Sequence, residues 1–283
     1  MEKAHHPIKM LCRLLGVSRS GYYAWRSRPL SARAIGDAQL TDQIRLIHVL
    51  SRKTYGAPRI HWELEDAGVR IGRKRIARLM RLAGIRGAHR RRRRGPGRHA
   101  TMHPATDLVR RNFRTDEPNR VWVADFTYWP TDEGFLYVAA VMDLFSRRIV
   151  GWSMATHLRA EFVIDAIEMA TSARDPEPGL IHHSDQGTQY TSFSFGRRLA
   201  EAGILPSMGS TGTPADNAVV ESMFDKMKVE ILVGNRYATR EQARAAVFEW
   251  IEVWYNRQRR HSTLGGLTPV QYERRYASED SPV

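Results

Sequence analysis

Beyond Pro118 the sequence stops reading as helix. The runs RVWVADFTYW, FLYVAAVMDLF and RRIVGWSM are rich in β-branched and aromatic residues, and only the polar turns TDEG and SR separate them. They predict an antiparallel meander of three strands. After the meander the pattern alternates: a helical stretch over about 159–173, the short strand LIHHSD, a helix from Thr191 to Ala202, and the apolar run Ile204–Leu205. The glycine-rich loop MGSTGTPADN then leads into an amphipathic helix from about Ala218 to Leu232. Together these elements specify an α/β fold, a mixed sheet with flanking helices.

The preceding third differs in charge and in period. Residues 1–100 hold 24 of the 44 Lys and Arg but only 6 of the 30 acids, a net of +18. The remaining 183 residues carry 20 bases and 24 acids, a net of −4. So basic a segment points to a polyanion, nucleic acid above all, rather than to a merely solvated surface. Over 7–28, Ile8, Leu11, Leu14 and Leu15 recur at helical spacing. Gly16 breaks that run, and Ser18 is placed to cap a second helix bearing Arg19, Arg26 and Arg28. A further helix is expected over 36–51. A second helical pair spans 55–84, with Ile60, Leu64, Ile76, Leu79 and Met80 as apolar stripes and Arg73, Lys74, Arg75, Arg78 and Arg81 along its last helix. Both pairs resemble helix-turn-helix units. Arg90, Arg91, Arg92, Arg93 and Arg94, set beside Gly-Pro-Gly, cannot bury anything. Residues 86–118 therefore read as an exposed basic linker, a phosphate-gripping arm in preference to a spacer.

Several classes fall away. Cys12 is the only cysteine, which rules out a disulfide within the chain and a cysteine-based zinc site. The longest apolar run, Phe135 to Met142, is far too short to span a membrane. MEKAHHPIKM carries no signal-peptide pattern, so the expected location is the cytoplasm, with no membrane partner. No phosphate-binding G-x-x-x-x-G-K-[ST] loop is present.

Three acids stand out by position. Asp125 interrupts an otherwise apolar and aromatic strand, where a carboxylate is costly unless a cation or strong donors offset it. Asp185 ends LIHHSD just before the Gln186-Gly187 turn, and Glu221 lies in the first turns of the helix after the glycine-rich loop. Metal-dependent phosphoryl chemistry needs such hard oxygen ligands around two divalent ions. Asp143, at the end of the second strand, is a rival ligand whose flanks suggest a turn or salt bridge. His182 and His183 lack the further partners of a zinc site and read as strand packing or cleft lining. Trp122, Tyr128, Trp129 and Trp152 read as core or strand-pair aromatics, and Trp250, Trp254 and Tyr255 as one packed face of a C-terminal helix. Asn217, four residues before Glu221, shares its helix face and is placed to orient the carboxylate or to contact DNA.

The spacing gives these acids a context. Asp185 and Glu221 are separated by 35 residues, within HHSDQGTQYTS and PADNAVVESMFDKMKVE, and a basic residue, Lys228, follows seven positions after Glu221. With WVADFTY, MDLFSRRIVGW and the tail WYNRQRRHSTLGGLTPVQYE, the chain resembles the integrase-core transposases of bacterial insertion sequences. More specifically, it resembles the second-frame product of the insertion-sequence-three family, over about residues 10–275. It departs from many relatives at Ala215, where they have tyrosine, and at Met223, where an aromatic is common.

The resemblance implies a ribonuclease-H-like core and a polynucleotidyl transferase in which Asp125, Asp185 and Glu221 hold two Mg²⁺ ions, with Mn²⁺ able to substitute. Water would nick the element end, and the freed 3′-hydroxyl would attack another phosphodiester. It also implies DNA contacts from Lys228, Asn217, Arg73, Lys74, Arg75 and the arginine run Arg90–Arg94. Implied partners are double-stranded DNA, further copies of the chain on that DNA, and an upstream first-frame product fused by frameshift; the expected place of action is the nucleoid. The expected division is a helical DNA-binding region over 1–85, the basic linker over 86–118, the catalytic core over 119–235 and a helical extension over 236–276. The alternatives are a non-catalytic helix-turn-helix regulator, a ribonuclease of the same fold, and an idle copy of the element.

Overall fold

The computed structural model describes residues 7–88, 105–109, 112, 115–209, 217–232 and 235–279. The meander forms as its alternation requires. Strand β1 (Val121–Thr131) pairs antiparallel with β2 (Gly134–Asp143), and β2 pairs antiparallel with β3 (Ile149–Ala155). Thr131 faces Gly134 across a two-residue turn, and Gly134 sits at a φ of 108°, where a side chain would be strained. Helix α6 (Glu161–Arg174) then carries the chain to β4 (Ile181–Ser184), and helix α7 (Phe193–Glu201) to β5 (Leu205–Met208). These two strands join in parallel, giving the order β3-β2-β1-β4-β5. The β1–β4 ladder ends at Val123, so β1 runs on with that edge open.

Each face of the sheet has its own core, as alternating side chains demand. Trp122, Ala124, Ala139 and Val141 pack under α6 and α7, against Phe162, Ala166, Phe195 and Leu199. α6 reaches the sheet at Gly151, where a Cβ would collide with Ala166 O. The opposite face, with Val123, Trp129, Leu136 and Met142, meets α8 (Ala218–Leu232) and α9 (Arg240–Glu249) through Val220, Met223, Met227 and Val247. α9 widens into a π-helical turn, Trp250–Tyr255, that buries Trp250, Ile251, Trp254 and Tyr255 together. The chain closes on α10 (Pro269–Glu279).

The described part of the basic N-terminal third holds helices alone: α1 (Ile8–Leu14), α2 (Arg19–Ser27), α3 (Ala32–Leu50), α4 (Ala57–Asp66) and α5 (Arg73–Leu82). Its two helical pairs differ in burial. The stripes of the second pair are buried, Ile60 and Ile76 completely, but Leu14 and Leu15 of the first pair are 71% and 75% exposed. More importantly, α3–α5 are not simply tethered by the linker. Leu40, Ile44, Ile60 and Leu64 belong to the same core as Trp250 and Trp254. The Tyr55 hydroxyl donates to Gln258 O at 3.1 Å and accepts from Arg260 N at 2.8 Å, while Arg260 pairs with Glu63 and Asp66 at 2.5 Å each. Trp62 lies flat against Gly266, where a Cβ would meet the indole at 2.6 Å. Among the described residues no helix is long and apolar enough to cross a membrane.

Candidate active site

Asp125, Asp185 and Glu221 come from three separate elements. Asp125 lies on β1 just beyond the end of the β4 ladder, and its Oδ1 accepts from Phe126 N at 2.7 Å. Asp185 follows β4 directly, and its Oδ1 accepts from Gly187 N at 3.0 Å, which fixes the turn that presents it. Parallel pairing of β1 and β4 puts the two aspartates at the same end of adjacent strands. Tyr190 lies beside them: its hydroxyl is held well above the ordinary phenol range, first by burial and then by the charges of Asp125 and Asp185. Glu221, exposed in the first turn of α8, has its carboxyl raised by burial, then by Asp225 and then by Asp185.

Asp185 is thus linked electrostatically to Asp125 through Tyr190 and directly to Glu221, at the open edge of β1. The donors are hard carboxylate oxygens, and the repulsion of Asp185 on Glu221 is what a divalent cation relieves, so the chemistry of the set fits such an ion. Among the described residues, no three His, Cys, Asp or Glu side chains lie close enough to form a ready metal-binding group.

Asn217 explains how α8 is aimed. It is 6% exposed, and its side-chain amide donates to Ala124 O at 3.0 Å, capping a β1 carbonyl beyond the β4 ladder and one residue before Asp125. Of the two roles the sequence left open, orientation has a geometric counterpart here; an amide so buried is not presented to DNA. Lys228 stands on the same stripe of α8 as Glu221 and Asp225, seven residues beyond the first and three beyond the second. Its ammonium lies 5.2 Å from the centre of the Tyr128 ring. Tyr128 is half exposed, unlike the buried Trp122 and Trp129, and meets Phe135 edge-on at 5.1 Å.

Other candidates separate cleanly. Asp143 is fully buried and accepts from Asn119 N at 2.9 Å and Phe145 N at 2.8 Å, with Arg174 at 3.3 Å, so it builds the β2–β3 turn. Arg75 is turned onto Asp37, its Nε 2.8 Å from Oδ1, and its side chain is part-exposed. Arg73 and Lys74 are exposed at the start of α5. Arg90–Arg94 and Ala215 lie outside the described residues. The sequence reading missed Asp225 and Tyr190. Spacing of four from Glu221 was a usable signal for Asp225, whereas nothing local marks Tyr190.

His182 and His183 are strand packing. His183 Nδ1 lies 2.9 Å from Ser207 Oγ, and His182 stacks edge-on to Phe195 at 5.2 Å. Burial, then the neighbouring His183, pushes His182 down to about 3. Its folded pKa therefore lies below the unfolded value, and its contribution to stability is complete above about pH 6.5 and shrinks as pH falls toward 3. Between pH 7.5 and 5 the loss from this group is about 2 kcal/mol. His182→Phe should remove that part of the pH dependence in denaturant unfolding, and an unchanged pH profile would refute it.

Residues 115–214 match a family profile described as "Integrase core domain", residues 202–269 match a second profile so described, and residues 36–93 match an "HTH-like domain". The chain is 38% identical over 267 residues to the insertion element IS600 uncharacterized 31 kDa protein of Shigella sonnei, covering 94% of this chain and 98% of that protein. It is 38% identical over 274 residues to the transposase InsF for insertion sequence IS3A of Escherichia coli, covering 96% of this chain and 95% of the relative. Among solved structures, the HTLV-2 integrase catalytic core domain in complex with magnesium aligns over 55% of this chain and 96% of its own, at 19% identity and a TM-score of 0.42.

Proposed function

The chain belongs to the IS3-type insertion-sequence transposases and is a DNA transposase acting by polynucleotidyl transfer, and from that premise we propose that Asp125, Asp185 and Glu221 form its reaction centre and hold two divalent metal ions. The observation that carries the assignment is that Asp125 and Asp185 both act on Tyr190 and Asp185 acts also on Glu221, at the edge where β1 loses its partner. Mg²⁺, or Mn²⁺ in its place, would activate the attacking oxygen and stabilise the leaving oxygen of an in-line displacement.

The chain's own residues set the geometry. The Phe126 and Gly187 amides orient the two aspartates, and Asn217 fixes the start of α8, and with it Glu221, against β1. In the first step a water oxygen attacks the phosphodiester at the element end and the 3′-oxygen departs as a hydroxyl. In the second, that 3′-hydroxyl attacks a phosphodiester of the target strand and displaces its own 3′-oxygen. Lys228, steadied over Tyr128, grips a phosphate about 10 Å along α8 from Glu221. No bond between protein and DNA is needed at any stage.

The remaining assignments are part of the same proposal. Residues 1–85 hold DNA, with Arg73 and Lys74 at its surface; 86–118, with Arg90–Arg94, are a basic linker; 119–235 carry catalysis; 236–276 brace the core. The protein works as a homo-oligomer on DNA at the nucleoid, and an upstream first-frame product joined by frameshift adds end recognition.

Labelled duplex ends of the element, incubated with the purified chain, should give joined products with Mg²⁺ or Mn²⁺ and none with EDTA. In the same assay Lys228→Ala should weaken end binding about tenfold, the loss of about 1.4 kcal/mol expected for one phosphate contact, without changing the metal requirement. Joining that persists in EDTA, or cleavage of RNA–DNA hybrids without any joining, would overturn the reading.

A further inference from the structure

A second set of charges lies around α8 from Glu221. Arg259 is 2% exposed and pairs with Glu230 through Nε and Nη2, while its Nη1 is buried with no hydrogen-bond partner among the described residues. His261, 6% exposed, has its Nε2 buried in the same condition. Between these two residues, Arg260 O accepts from Arg59 Nε at 2.9 Å, which draws the Arg59 guanidinium of α4 to the same place. Lys226 stands one turn before Glu230 on α8. Arg147, from the β2–β3 turn, is near enough for its charge to act on both Lys226 and His261.

The balance of charge is lopsided. Among the described residues, Arg59, Lys226 and Arg259 gather around Glu230, an excess of two positive charges over that acid in a largely buried place. Burial, then Arg259 and Arg59, pushes Lys226 down to about 8. Burial, then Arg259, Lys226, Arg59 and Arg147, keeps His261 neutral, so its ring adds a neutral donor when the proton is on Nε2. A like-charge cluster of this kind is destabilising without a counter-charge.

We propose that this junction of α4, α8 and the Arg259–His261 segment is a binding site for a phosphate group, held by the spare Arg259 Nη1, the Arg59 guanidinium and the Lys226 ammonium. A tetrahedral oxyanion suits donors that converge from three elements, and guanidinium is well matched to phosphate. The site is separate from the scissile position: Lys226 is five residues beyond Glu221, about 7.5 Å along the helix and on a different side of it. The phosphate comes either from the backbone of bound DNA or from free phosphate in solution.

The test is thermal unfolding of the full chain in EDTA, which leaves the metal-dependent reading aside. Inorganic phosphate is compared with chloride at matched ionic strength. The wild type should gain about 3–5 °C at tenfold excess over the dissociation constant. Lys226→Gln and Arg59→Gln should lose that gain, and Lys226→Gln should be no less stable than wild type without phosphate because a repulsion is relieved. If one variant fails to fold, the other reads the same loss.

Duplex binding then separates the sources. A backbone phosphate is the occupant if both variants make the log K against log salt slope shallower by about one unit and inorganic phosphate competes with duplex. Free phosphate is the occupant if duplex binding is unchanged and the thermal gain survives saturating duplex. The proposal is overturned if phosphate does no more than chloride and the salt slopes are unaltered, or if the variants keep the full phosphate response.

Discussion

Asp125→Asn, Asp185→Asn or Glu221→Gln is expected to cut strand joining by about a thousandfold or more while leaving the protein folded. An ion in such a site contributes several kcal/mol of charge stabilisation in the transition state, and ~4 kcal/mol corresponds to about a thousandfold in rate. The amides keep the shape of the acids, so packing is undisturbed. Stability should hold or rise slightly, because Glu221 lies in the fields of Asp185 and Asp225, and removing either repulsion favours its ionised form. The measurement pairs a joining assay with thermal unfolding for each variant. A variant that joins within tenfold of wild type takes that residue out of the reaction centre. A variant that loses both joining and its fold assigns the residue a structural role.

The second large effect falls on the other side of α8. Glu230 accepts from Trp250 Nε1 and Trp254 Nε1 at 3.0 Å each and from Arg259 Nη2 at 2.6 Å, with both charged side chains almost fully buried. Glu230→Ala strands the guanidinium and leaves two indole N–H groups unmatched. Breaking a buried pair from one side costs about 3–5 kcal/mol, and this one is backed by further donors. Urea unfolding should show that loss, whereas Glu230→Met combined with Arg259→Met should recover part of it, since the stranded Arg259 guanidinium is gone. A single-variant loss below about 1 kcal/mol, the value of an exposed pair, would mean that Glu230 does not brace the helix.

Much of this architecture was legible in the residues themselves. The meander could be read because β1, β2 and β3 alternate and are joined by turns too short for anything else. Helix α8 could be read because its apolar spacing begins at Ala218 and persists to Leu232. The three acids emerged from spacing and resemblance together. The features that stayed hidden depend on partners far away in sequence. Asn217 bonds to Ala124 across 93 residues, and Arg75 pairs with Asp37 on another helix, and no local pattern announces either bond. The apolar spacing of Leu11, Leu14 and Leu15 correctly marks a helix, but periodicity cannot say whether a facing surface exists. Gly151 looks like any strand glycine until α6 is seen lying on it.

The seam between the N-terminal helices and the C-terminal tail bears on how such chains diversify. Tyr55, Glu63 and Asp66 on one side, and Gln258, Arg260 and Gly266 on the other, meet as matched halves although some 200 residues separate them. A recombination point placed in the arginine-rich stretch would exchange the first half and keep the second. The hybrid would then set a foreign surface against the Arg260 guanidinium and the flat Gly266 turn. Helices α3–α5 are therefore not a detachable cassette: a functional chimera must inherit the tail that these helices grip.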